Sequence, residues 1–202
     1  MTDPRQQAAA EVSAALAPLS RRRFLKAALW GTAGVSAVLA GGVALLRRSP
    51  RDALPVPADL AYLTAAQYRL FQRLAEVLLP TAGTPLFPAA EVPVARHVDA
   101  ILGTLTAEVR TQLSVGLALF DNAAVAGHWK RFVDLDEAAA LAYVNDWLNA
   151  GSETKRALGF VVSKLTHTGY WLDARTWPAI EFDGAVTKKW GIPARGNQPL
   201  PA

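Results

Sequence analysis

Apolar side chains recur at three- and four-residue spacing along most of this chain beyond residue 62. Leu70, Phe71, Leu74, Val77 and Leu78 form the first such stripe, the period of an amphipathic helix. Thr64 followed by Gln67 is a capping box at its start, and Leu63 and Tyr68 stand at the positions of a hydrophobic staple. Pro80 ends it. After a proline-rich loop at 81–92, Pro93 suits the first turn of a second helix carrying Val94, Val98, Ile101, Leu102 and Leu105. Thr106 caps a third, with Val109, Leu113, Leu117 and Phe120 on one stripe. Asp134 and Glu137 read as a second capping box, opening a helix with Leu141, Val144, Trp147 and Leu148 that Gly151 stops. Ser152 caps a fifth, with Leu158, Val161, Val162 and Leu165 inward. No segment alternates with period two between hairpin turns. The pattern predicts an all-α fold, a compact bundle of about five helices with short connections and no sequence repeat.

The two ends follow other rules. Residues 49–62 hold three prolines and little periodicity, which predicts an extended tether. The helical domain is expected over 63–171. From 172 to 202 the chain is rich in Gly and Pro, yet Tyr170, Trp171, Trp177, Phe182 and Trp190 crowd its start. Disordered segments are poor in such side chains. These aromatics are therefore expected to pack, over the helical domain or against a partner, and they are the candidate partner interface.

At the other end, residues 27–46 carry no formal charge. Ser20, Arg21, Arg22, Arg23, Phe24, Leu25 and Lys26 precede them and fill every position of S-R-R-x-F-L-K, the twin-arginine export motif. Such a signal is an address read by a receptor rather than an element of the fold. It places the body on the periplasmic side of a bacterial inner membrane and has the cargo fold before crossing. The bland alternative, a basic flank on an ordinary hydrophobic helix, does not call for every position of the motif. As a helix the uncharged run is about 30 Å long, the thickness of the hydrocarbon core. No A-x-A site interrupts it, although Val38-Leu39-Ala40 and Gly42-Val43-Ala44 offer small-x-small substitutes. Residues 1–48 are thus an export signal and a candidate N-in membrane anchor, with cleavage left open.

Charge gains meaning only when divided in this way. The net +4 suggests a polyanion partner. Residues 1–48 hold seven basic and two acidic side chains, which leaves 49–202 with 14 basic and 15 acidic. The basicity belongs to the leader, so nucleic acid is not an expected partner. The chain has no cysteine. This excludes disulfides, a lipoprotein anchor, a covalently attached c-type haem and a thiolate-held iron–sulfur cluster.

Chemistry is sparse. The glycine pairs Gly31/Gly34 and Gly41/Gly42 lie in the leader, where they cannot form a dinucleotide-binding turn, and there is no P-loop or G-x-S-x-G elbow. His97, His128 and His167 are too scattered in sequence to put two on one helix face as metal ligands. Asp134, Asp136 and Glu137 suit a helix start better than a calcium loop, which needs a glycine and further ligands. Thr166 and Ser163 lack an evident base. No catalytic, cofactor-binding or metal residues are expected in this chain.

The combined pattern resembles a known family. The leader precedes L-T-x-x-Q-Y-x-x-F-x-x-L-A-E-x-L-L-P-T at 63–81, then V-x-x-x-V-D at 94–99, and G-Y-W-x-x-x-x-x-W-P-x-I-x-F-D-G at 169–184. Over about residues 20–190 it resembles the gluconate 2-dehydrogenase subunit 3 family. The resemblance implies a non-catalytic small subunit of a membrane-associated dehydrogenase. The large partner would be an FAD-dependent oxidoreductase of the glucose–methanol–choline type, acting on sugars or other alcohols. A c-type cytochrome carrying haem often completes such complexes. The small subunit would bind the leaderless large one, carry it through the twin-arginine translocase, and remain with it, with Arg21 and Arg22 as the receptor-read pair. The alternatives are a solitary membrane-anchored binding module and, with thinner support, an envelope enzyme using one of the histidines as acid–base.

Overall fold

The Thr64 hydroxyl accepts from the Gln67 amide at 3.3 Å, and Gln67 Oε1 accepts in return from the Thr64 amide at 2.9 Å. Helix α1 (Ala65–Leu78) therefore begins at its expected box. The computed structural model describes residues 49–184 together with 190 and 191, so the export motif and the uncharged run at 27–46 lie outside the described residues. Helix α2 (Val94–Leu102) follows Pro93, and α3 (Ala107–Ala123) is capped by Thr106. A short α4 (Val125–His128) was not foreseen; α5 (Glu137–Leu148) and α6 (Glu153–Trp171) complete the set. Short 3-10 turns at Pro50–Ala53, Ala89–Glu91, Phe132–Asp134 and Ala174–Ile180 join or flank them. The described residues contain no strand, and the fold is all-α. None of their helices is long and apolar enough to cross a membrane.

The start of α5 differs from expectation. Its cap is Asp136, whose carboxylate accepts from the Ala139 amide at 2.8 Å. Asp134 instead ends a 3-10 turn and accepts the Ser49 hydroxyl at 2.6 Å. The buried face is Ala140, Tyr143, Val144 and Trp147, and Leu141 is left exposed. Aromatic area decides this. The rings of Phe132, Tyr143 and Trp147 close around Phe120 with centroids 5.0, 5.2 and 5.0 Å from it, and burying them outweighs burying one leucine.

Helix α6 is the hub, packed on α2, α5, α1 and α3. Two glycines permit this. A Cβ on Gly159 would lie 2.9 Å from Trp147 Cβ and 3.1 Å from the Leu148 amide nitrogen of α5. A Cβ on Gly169 would lie 2.9 Å from the Val94 carbonyl oxygen of α2. Both crossings bring backbone against backbone.

Residues 49–62, expected as an extended tether, are docked on the bundle. Arg51 donates to Glu76 through two nitrogens at 3.1 and 3.0 Å, and Arg131 reaches Asp52 at 3.1 Å. Further along, the buried Asp99 carboxylate accepts the amides of Ala61, Tyr62 and Leu63 at 3.0, 2.9 and 2.6 Å. The tether reading failed because each partner lies at least 25 residues away. Residues 174–180, expected to be irregular, form a 3-10 turn started by Asp173.

Candidate interaction surface

The inner face of α6 is fixed by Leu158, Val162, Thr166 and Tyr170. Its opposite face has no neighbour among the described residues over much of its length. Phe160 (52 % exposed), Ser163, Lys164, His167, Thr168 and Trp171 line a shallow groove there. The Lys164 ammonium sits over the Phe160 ring at 5.6 Å, a weak attraction at an exposed site. The Ser163 hydroxyl oxygen is buried in this groove with no hydrogen-bond partner.

At its C-terminal end the groove meets the aromatic segment. Tyr170 is buried, with its hydroxyl donating to the Phe87 carbonyl at 2.7 Å. It is a core residue of a small cluster with Leu79, Val92 and Val94, so it supports the surface from beneath. Trp171 is half-buried, edge-on to Tyr170 at 4.9 Å. The Trp177 indole N–H donates to the Trp171 carbonyl at 2.8 Å, and Phe182 packs edge-on to Trp177 at 5.0 Å. The chain returns at Gly184 with φ 101°, a left-handed conformation that glycine tolerates. Leu172, Ile180 and Phe182 are exposed, as is Trp190. The structure thus joins Trp171, Trp177 and Phe182 into one apolar ledge continuous with the α6 groove. No described contact ties Trp190 to it.

The turn that carries the ledge is held electrostatically. Asp173 accepts the Arg175 amide at 3.0 Å and pairs with its guanidinium at 2.6 Å. That guanidinium also donates to the Glu91 carbonyl at 3.0 Å and stacks over Phe87 at 4.7 Å. Hydrogen bonding from Arg175 holds the Asp173 carboxyl down at about 2.

Other polar groups make contacts within the bundle. Asp121 and Arg131 form a buried pair at 2.5 Å, extended by Asp52. Burial opposes the Arg131 charge, and the two carboxylates outweigh it, raising its pKa. His97 Nδ1 lies 2.6 Å from the Gly169 carbonyl and His167 Nδ1 lies 2.8 Å from the Ser163 carbonyl. A carbonyl only accepts, so each Nδ1 carries the proton. His128 stands edge-on to Tyr143 at 6.1 Å. Among the described residues no three His, Asp or Glu side chains are placed to share a metal ion. An open cleft of about 690 Å³ beside α1 is rimmed by Glu76, Glu91 and Glu137. Glu76 there is taken up by Arg51 and Arg73.

Of the five aromatics that sequence density singled out, the structure brings Trp171, Trp177 and Phe182 together at the surface and buries Tyr170. Sequence reasoning missed Phe160 and Lys164, because a helix face without a partner is distinguished only once the other face is known to be buried. A model of the family described as gluconate 2-dehydrogenase subunit 3 matches residues 65–184. No curated protein and no solved structure matches the chain.

Proposed function

Because the chain belongs to the gluconate 2-dehydrogenase subunit 3 family, and so to the accessory subunits of dehydrogenase complexes, we propose that it binds, escorts and stabilises a leaderless FAD-dependent sugar or alcohol dehydrogenase. The large subunit would be of the glucose–methanol–choline type. Substrate oxidation and the flavin belong to that chain, and haem c to a cytochrome where one is present. This chain contributes a folded docking body and an address. The observation that carries the reading is the pairing of family membership over 65–184 with a filled twin-arginine motif at Ser20, Arg21, Arg22, Phe24, Leu25 and Lys26.

The roles divide along the chain. Arg21 and Arg22 are read by the translocase. Residues 27–46 hold the subunit in the inner membrane when retained, with the body on the periplasmic side. The α6 groove and the ledge of Trp171, Trp177 and Phe182 receive the large subunit. Exposed aromatic side chains suit that use, since each buries much area at little conformational cost.

Changing Arg21 and Arg22 together to Lys tests the escort role. Fractionation of cells carrying that variant is expected to find this chain and the flavoprotein both in the cytoplasm. Export of the flavoprotein in spite of the change would remove the escort role.

A further inference from the structure

The outer face of α6 carries charge of one sign. From 154 to 172 the chain holds Lys155, Arg156 and Lys164 and no Asp or Glu. Lys155 is taken up by Asp146 of α5. Arg156 is exposed and donates to the Ala150 and Gly151 carbonyls at 2.7 and 3.2 Å, which leaves its charge uncancelled. Lys164 is exposed over the Phe160 ring, with no carboxylate partner among the described residues. Arg156, Phe160, Lys164, His167 and Trp171 follow one another at four, four, three and four residues, so they share one helix face. The acidic side chains of the same elements stand at its ends. Glu153 lies in the first turn of α6, and Asp173, Glu181 and Asp183 lie in the segment that carries the ledge. The groove between Phe160 and Trp171 is lined by a cation and no anion. Its two aromatic ends are about 16 Å apart along the helix axis.

Charge narrows what can cover this face. Lys164 lies at the middle of the stripe, so a two-fold pairing of the face with a second copy sets it against its own equivalent. Like charges placed opposite each other disfavour that pairing. Residues 185–202 hold Lys188, Lys189 and Arg195 and no acidic side chain. Residues 1–48 hold seven basic and two acidic side chains. Neither end of the chain is thus an acidic partner for the groove.

We propose that the segment of the dehydrogenase subunit seated on this face is both acidic and apolar. A carboxylate pairs with Lys164, and apolar side chains to either side of it pack on Phe160 and Trp171. The inference rests on the docking role proposed above for the α6 groove and adds the chemistry of what docks there. Charge steers the encounter and sets the register, while the rings supply the buried area that holds it.

The test uses the tagged full-length chain and the flavoprotein that co-purifies with it. The two are separated and re-bound under surface plasmon resonance at low and high salt, comparing Lys164→Glu, Lys164→Arg and Phe160→Asp with the parent. Lys164→Glu is expected to weaken binding about tenfold or more at low salt, chiefly by slowing association, and to flatten its salt dependence. Lys164→Arg keeps the charge and is expected to bind like the parent. A carbodiimide, which joins an amine to a carboxylate in contact with it, is expected to link Lys164 to an Asp or Glu of the flavoprotein, as read by mass spectrometry. Parent-like binding by Lys164→Glu, with Phe160→Asp weakened, overturns the acidic partner and spares the docking role. Parent-like binding by both overturns the docking role of the groove as well. If the parent chain captures no flavoprotein, the escort reading falls and this inference with it. A link from Lys164 to a second copy assigns the face to self-association and overturns the proposal. Binding to anionic vesicles that Lys164→Glu abolishes without flavoprotein assigns the face to lipid and likewise overturns it.

Discussion

Asp99 shows how one side chain can order a distant stretch of chain. Its two oxygens accept three consecutive amides of the segment leading into α1. Asp99→Ala leaves those donors without an acceptor, and a lost partner for a buried donor costs about 1–3 kcal/mol. The shift in urea midpoint is expected to correspond to about 3 kcal/mol, since some amides regain water. Asp99→Asn should lose less. An oxygen in the Oδ1 position still serves Tyr62 and Leu63, while the amide nitrogen faces the Ala61 N–H. Asp173 makes a pH-dependent contribution. Its carboxyl titrates at about 2 in the folded chain against an ordinary 3.8, because Arg175 hydrogen-bonds to the charged form. A depressed carboxyl stabilises fully above its unfolded pKa and loses that contribution as pH falls through the folded one. The hold on the aromatic turn should therefore weaken below pH 3.8 and be gone below about 2, as read from the Asp173 carboxyl carbon by NMR. Arg175→Leu should return that titration towards 3.8. Thr64 and Gln67 were legible in the sequence because box partners stand three residues apart. The role of Asp99 was not, because its partners lie 36 to 38 residues away.

Helices are where the pattern of apolar positions is most informative, and also where its limits show. Of the six helices among the described residues five were anticipated, three of them with the expected cap, Thr64, Thr106 and Ser152, while Pro93 caps its helix instead of opening the first turn. In α5 the cap is two residues beyond its expected place, and the inward face is set by the rings around Phe120 rather than by Leu141. Periodicity gives the existence of an apolar face, and neighbours choose its rotation. The glycines of α6 reveal the same dependence. Gly159→Ala and Gly169→Ala each drive a methyl into the backbone of a facing helix. Forcing extra volume into a packed contact typically costs about 1–3 kcal/mol, and a fall of that size is expected in thermal or urea unfolding. Gly127→Ala, in α4, meets nothing within 4 Å and is expected to leave stability unchanged or raise it slightly, by up to about 1 kcal/mol. The contrast between the three isolates helix crossing from helix propensity.

At the level of the whole molecule, the hub helix has two unlike faces. Its inner face holds the bundle together, and its outer face joins the aromatic ledge. Phe160→Asp should leave the unfolding midpoint nearly unchanged, because the ring is more than half exposed. Its expected effect is on association: binding of the large subunit, measured by surface plasmon resonance, should weaken about tenfold or more, a loss of about 1.4 kcal/mol per factor of ten. Unaltered binding would place the large subunit elsewhere on the chain. The sequence by itself determined the all-α class, the caps of three helices, the near-neutral charge of residues 49–202 against the basic 1–48, and the family resemblance. These are properties of neighbours in the chain: caps span three residues, helical stripes repeat within two turns, and charge can be counted segment by segment. Tertiary structure alone decided that residues 49–62 are docked, that Tyr170 is core while Trp171 and Phe182 are surface, and that Phe160 faces outward. Each of those outcomes depends on a carboxylate, a carbonyl or a helix backbone brought close from far along the chain, and local sequence holds no record of that approach.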